Sequence, residues 1–284
     1  MTSVRQVVQD LKSILKRLDD YSQNEEYILI EKSLNITKEQ LFLKQNFATK
    51  ELRKINRKLK RRLNGEPINK IFKEQNFFGF EFYINNNVLA PRKETEELVE
   101  KVILDIKNTN KQVNLLDICT GSGCIGLTLK LTCKDKVNVE ISDIDKKALS
   151  VARLNAEKFK LKTQVKIKKS NMFERLKSNE KFDIITCNPP YISSLEYENL
   201  SRGVKNYDPK LALFGGEDGL NFYRILAREG SNYLLKNGRM YIEIGHKQKR
   251  EVEKIFKAYN YEFECYKDYS KKDRIVKVWK KDNI

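Results

Sequence analysis

Residues 113–126 read VNLLDICTGSGCIG: an apolar run breaks into a turn of closely spaced glycines and then resumes as an apolar helix-compatible segment. The run predicts a buried strand over 113–119, and Gly121, Gly123 and Gly126 satisfy a GxGxxG spacing. Glycines there let the backbone turn tightly and approach a ligand, while the following helix presents free N–H groups at its start. Asp143 ends the next predicted strand, twenty residues beyond Gly123. A carboxylate so placed can accept both hydrogen bonds of a ribose diol. The pair describes a nucleoside-binding crevice, open to either a dinucleotide or S-adenosylmethionine because both carry adenosine. A tight packing turn beside a surface aspartate would give the same pattern.

Working outward, strands are predicted at 137–143, 163–169, 182–188, 239–245, 261–267 and 274–280, with helical patterns such as 146–159 in most gaps. This alternation is the mark of an α/β fold, a doubly wound, seven-stranded Rossmann-like sheet with helices on both faces. Ligands in such sheets bind at the carboxyl ends of the strands. Before it, FFGFEFYINNNVLA (77–90) is aromatic and roughly alternating, which suits a β-hairpin. Residues 3–19 carry apolar positions at helical spacing, Thr37 with Gln40 suggests a capping box, and Thr49 is placed to cap a basic helix stopped by Gly65 and Pro67. The expected organisation is a helical unit over 1–75 and a ligand-binding domain over 76–284, with 76–90 as the connecting hairpin.

The chain of 284 residues carries a net charge of +17, which invites a nucleic-acid reading. Of its 56 basic residues, 41 are lysines scattered through every segment, so compositional bias accounts for the charge better than a dedicated groove. The run RKINRKLKRRL (53–63) has apolar residues at helical spacing and reads as a solvated helix face. The five cysteines never form CxxC and there is one histidine, so no metal site and a reducing cytoplasmic setting are expected. There is no run of eighteen apolar residues and no cleavage-site pattern, so neither a membrane partner nor processing is expected.

Two further strand ends carry chemistry. The third strand ends in KKSNMFERL, where Asn171 can reach an adenine edge and Met172 can lie on its face, though core packing of Met172 and Phe173 explains the same letters. The fourth runs FDIITCNPPYI (182–192) and ends on Asn188, Pro189, Pro190 and Tyr191. The proline pair stiffens this turn and removes donors, leaving the Asn188 side-chain oxygen and the Pro189 carbonyl as acceptors for one substrate NH2 group. Tyr191 supplies a wall for a planar group. A conjugated NH2 is a poor nucleophile. Hydrogen bonds of about 0.5–1.5 kcal/mol each cannot abolish its conjugation, but they can bias its geometry and aim its lone pair at a donor methyl. Positioning and a fixed electrostatic environment then supply most of the acceleration. A Pro-Pro pair that merely stops a strand is the bland alternative.

With these residues in place, the sequence resembles the HemK-type protein-glutamine N5-methyltransferases that modify peptide-chain release factors. LAPRKETEELVE (89–100), LLDICTGSGCIG, NPPYI, LFGGEDGLNFYR (213–224), EIGHKQ (243–248) and DYSKKDRIVKVW (268–279) occur in the family's order over nearly the whole chain. The resemblance implies that Cys119, Thr120, Gly121, Ser122 and Gly123 surround the methionine part of S-adenosylmethionine, that Asp143 holds the ribose and that Met172 lies on the adenine side. It also implies that Asn188 to Tyr191 grip a glutamine amide, with Asn188 catalytic and at the cofactor's edge, and that PRKETE covers the cofactor. The helical unit would dock the release factor and present the glutamine of a Gly-Gly-Gln loop. A monomer that needs no nucleic acid is expected.

Several departures stand out. Cys119 occupies a position where the family usually has glycine, Asn171 replaces a common aspartate, Lys93 replaces a proline, and Asp208 stands where glutamate is usual. The rivals are a ribosomal-protein glutamine methyltransferase, an adenine-N6 or guanine-N2 nucleic-acid methyltransferase, and a dinucleotide oxidoreductase. The last leaves the Asn-Pro-Pro-Tyr turn without a role.

Overall fold

The computed structural model describes residues 2–280, which divide after Lys73 into two compact units. The first holds helices Val4–Leu15, Glu25–Leu34, Lys38–Leu43, Thr49–Leu63 and Ile68–Phe72, packed on Leu11, Leu15, Leu29, Ile30, Leu41, Phe47 and Ile55. The capping box forms: Thr37 Oγ1 accepts from the Gln40 N–H and Gln40 Oε1 from the Thr37 N–H. Thr49 does not cap the basic helix. Ala48 stands at that position, and its N–H is held instead by Glu51 Oε2 at 2.8 Å. The basic helix is not wholly solvated either. Arg62 turns inward, 2% exposed, and pairs with Glu25 and, at 2.7 Å, with Asp20. Burial without those carboxylates would leave an uncompensated charge.

The second unit opens with an antiparallel hairpin, Glu74–Phe77 against Phe80–Tyr83. It is shorter than the expected 76–90 segment, because residues 84–92 leave the ladder and run irregularly to helix α1 (Lys93–Lys107). The central sheet then follows: β1 (Val113–Ile118), β2 (Val137–Asp143), β3 (Val165–Lys169), β4 (Phe182–Cys187), β5 (Leu234–Glu243), β6 (Tyr261–Lys267) and β7 (Asp273–Lys280). Its order is β6-β7-β5-β4-β1-β2-β3. The first five strands are mutually parallel, and β7 lies antiparallel between β5 and β6. β5 begins five residues before the predicted 239.

Side chains alternate across this sheet. Leu115, Ile184 and Tyr241 join one core with α1, α2 (Cys124–Cys133) and α3 (Lys146–Lys158). Leu116, Ile185 and Ile242 join the other with α4 (Asn221–Glu229) and α5 (Lys249–Ala258). Both faces are covered, which is why the strands read as continuous apolar runs. Strand order reverses between β1 and β4, whose ends pair as Ile118 with Cys187. The helices that follow neighbouring strands leave to opposite faces there, opening a crevice above the two carboxyl ends.

Candidate active site

Beyond β1 the backbone enters left-handed conformations at Cys119 (φ 58°), Gly121 (φ 56°) and Gly123 (φ 84°) before α2 starts at Cys124. The positive φ at Cys119 is a conformation that glycine adopts far more readily than a residue with a side chain. Beneath the loop, the fully buried Asp117 accepts from the Thr120 and Thr186 hydroxyls and from the Gly126 N–H. Burial pushes its carboxyl up to about 6, against the opposing pull of those three donors. Asn155 on α3 ties the loop to the hairpin: its Nδ2 donates to the carbonyls of Ser122 and Tyr83, both at 2.9 Å, and its Oδ1 accepts from the Tyr83 N–H at 2.7 Å.

Asp143 closes β2 facing this loop. Its Oδ2 accepts from the Gly121 N–H and its Oδ1 from the Asp145 N–H, each at 2.9 Å. Burial raises its pKa, and these backbone donors oppose the rise. At the end of β3 the two candidates separate. Asn171 lines the cleft, with its Nδ2 held by Glu174 at 2.6 Å. Met172 does not: it is 4% exposed, packs in the core with Leu116, Ile118 and Phe173, and its Sδ lies 3.8 Å from Cys119 Sγ. Its thioether thus sits in the core behind the cleft rather than on the cleft wall.

At the end of β4, Asn188 Nδ2 donates to Glu243 Oε2 at 2.9 Å and to Thr95 Oγ1 at 3.2 Å, while the Thr95 hydroxyl donates to the same Glu243 oxygen at 2.6 Å. Burial raises the Glu243 carboxyl, and the Thr95 hydroxyl, Arg274 and Arg92 act against it. The Asn188 amide nitrogen is therefore spent on the protein, and Oδ1 is the atom left for the cleft that Asn188 lines. Pro190 also lines it. Pro189 and Tyr191 do not line this cleft. Pro189 is buried, and Tyr191 packs against the second core. Burial raises the Tyr191 phenol. Phe222 and Leu211 occupy the wall instead.

The turn is held from behind by the glycines of 215–219. A Cβ on Gly215 would sit 2.7 Å from the Pro190 carbonyl oxygen, and one on Gly219 (φ 74°) would overlap the carbonyl oxygen of Tyr191. Gln248 completes the brace. Its Nε2 donates to the Tyr191 and Gly219 carbonyls, and its Oε1 accepts from the Gly245 N–H and the Tyr223 hydroxyl.

One cleft collects these parts. Of the residues expected from sequence, Cys119, Thr120, Gly121, Ser122, Asp143, Asn188 and Pro190 line it; Gly123 caps α2 just behind. Asn87 to Arg92 form the opposite rim, together with Thr95, so PRKETE does contribute to the wall. Sequence reading missed Glu243, Asn155 and Phe222. Glu243 had a usable signal, since it too is a polar residue ending an apolar strand.

The Methyltransferase small domain family model matches residues 95–202. A release factor glutamine methyltransferase from Clostridium acetobutylicum is 35% identical over 272 residues, covering 93% of this chain and 94% of that protein. The chain belongs to the release factor glutamine methyltransferase family. A bifunctional methyltransferase from Rickettsia prowazekii is 34% identical over 297 residues, which are 97% of this chain but 57% of the relative, so the chain spans little more than half of that protein. In three dimensions a methyltransferase from Pyrococcus furiosus superposes with a TM-score of 0.52 at 20% identity, over 79% of this chain and 98% of the other, and shares its fold. In this chain the Asn-Pro-Pro-Tyr turn and the glycine loop are the two elements that follow β4 and β1, at the point where the strand order reverses.

Proposed function

We propose that this chain methylates the side-chain amide nitrogen of a glutamine in a peptide-chain release factor, with S-adenosylmethionine as methyl donor. The observation that carries this reading is that the 119–122 loop, Asp143 and Asn188 line a single cleft. The residues fit such a donor. The wall combines a carboxylate at Asp143, an amide at Asn171 and apolar surface at Val88, Ala148 and Phe222. A Cβ on Gly121 would meet nothing within 4 Å, so the loop leaves open space there. Asp143 would accept from the ribose, Thr120 to Ser122 would bound the methionine part, and Asn171 would face the adenine.

When bound, S-adenosylmethionine supplies an activated methyl on a positively charged sulfur. The chain's own residues do the rest by placement. Asn188 Oδ1 accepts from the substrate NH2 group and sets the direction of its lone pair. Pro190 keeps this turn stiff, and Val88, Leu89 and Phe222 exclude water from around the reacting nitrogen. The first unit, with Phe42 67% and Leu43 84% exposed, would dock the release factor. We further propose that the protein acts as a cytoplasmic monomer and requires no nucleic acid.

The test is incubation with labelled S-adenosylmethionine and a release factor, a ribosomal-protein mixture, or RNA and DNA, followed by mass spectrometry of the labelled product. A methylated glutamine in the release factor supports the reading, and label confined to nucleic acid or to ribosomal protein overturns it. Asn188→Ala should slow single-turnover transfer by roughly a hundredfold, the scale of losing one preorganised polar contact. Affinity for S-adenosylhomocysteine should hold in this variant, and near-parent transfer would mean that the turn only ends a strand.

A further inference from the structure

An asparagine amide has nearly the same shape in either orientation, so only its hydrogen-bond partners decide whether it offers its oxygen or its nitrogen to a cleft. At Asn188 that decision is made from below. Glu243 ends β5, is 1% exposed and accepts at Oε2 from both Thr95 Oγ1 (2.6 Å) and Asn188 Nδ2 (2.9 Å). Because Thr95 donates its only hydroxyl proton to Glu243, its oxygen is left to accept the second Nδ2 proton, at 3.2 Å. Turning Asn188 over would abandon both hydrogen bonds. It would also press Oδ1 against a carboxylate oxygen and a hydroxyl whose proton is already committed, inside a buried contact where unpaired acceptors are costly.

We propose that Glu243, acting with Thr95, is a positioning residue that locks Asn188 as an acceptor and thereby makes the site select an amide over an acid. This rests on the glutamine reading above. A glutamine side chain offers N–H groups to Asn188 Oδ1, whereas a glutamate of nearly equal shape offers a carboxylate oxygen that meets an acceptor head-on. A site built around one hydrogen-bond polarity rejects the analogue of the other polarity far more strongly than a size filter does.

The experiment compares binding of a release factor with binding of its counterpart carrying glutamate at the methylated glutamine, in the presence of S-adenosylhomocysteine. The parent should prefer the glutamine form by roughly a hundredfold or more. In Glu243→Gln the replacement side chain can donate or accept, so both Asn188 orientations become available. The preference should then fall to within about tenfold, while S-adenosylhomocysteine affinity stays within about threefold of the parent. Thr95→Ser should keep the parent preference, and Thr95→Val should lose part of it. These Thr95 variants decide the matter if Glu243→Gln fails to fold. A folded Glu243→Gln protein that keeps the parent preference, or a Thr95→Val protein indistinguishable from Thr95→Ser, overturns the proposal. So does a parent that methylates the release factor without distinguishing the two forms. A parent that does not methylate the release factor at all overturns the underlying reading instead.

Discussion

Asp143→Asn keeps the volume of the side chain and changes only its polarity, so its consequence can be worked from the contacts. In the parent, one carboxylate oxygen accepts from the Gly121 N–H and the other from the Asp145 N–H. An asparagine has a single acceptor, so whichever way it turns, an NH2 group faces one of those two backbone donors. The remaining acceptor is neutral. Hydrogen bonds to charged groups contribute about 1.5–3 kcal/mol against about 0.5–1.5 for neutral pairs. The loop thus loses one charge-assisted bond and keeps a weaker one, and a bound ribose diol loses the same advantage. A loss of roughly 1.5–3 kcal/mol in cofactor binding follows, or about 10- to 150-fold in affinity. Titration calorimetry with S-adenosylhomocysteine measures it without turnover. An affinity within about threefold of the parent would refute both the ribose assignment and the idea that the carboxylate shapes the loop.

Two further outcomes follow from the same geometry. The pKa of Asp117 is raised by burial from 3.8 to about 6, so its contribution to stability is fully present below about pH 4 and is lost as pH rises through about 6, by roughly 3 kcal/mol. Asp117→Asn cannot titrate, so denaturant unfolding across pH 4–7 should show a flatter profile than the parent, and parallel profiles would refute this. Gly219→Ala combines a left-handed φ with overlap on the Tyr191 carbonyl and should cut methyl transfer at least tenfold, because the Asn188–Pro190 turn must shift. Gly65→Ala, at φ 87° with nothing within 4 Å, should cost only the backbone term of about 1–2 kcal/mol and leave transfer unchanged; equal effects of the two would sink the bracing role.

Much of this protein is legible in its letters because local chemistry and fold agree. Strands covered on both faces must be apolar throughout, so Leu115, Leu116, Ile184 and Ile185 announce a doubly wound sheet, and a glycine turn after the first of them announces the crevice. Asn188 was readable for the same reason: a polar residue ending an apolar strand is placed where such sheets bind ligands. Met172 was not, since a thioether serves a core or an adenine face equally well, and only the packing around Cys119 and Phe173 put it in the core. Tyr191 likewise has the composition of a wall, and only the tertiary packing sets its ring against the second core while Phe222 and Leu211 line the cleft. The sequence by itself determined the fold class and which strand ends carry function, because periodicity and turn chemistry act between near neighbours. The tertiary structure alone decided which way Asn188 faces, because Thr95 lies 93 and Glu243 55 residues away, and only the meeting of β4, β5 and α1 brings their hydrogen bonds to one amide.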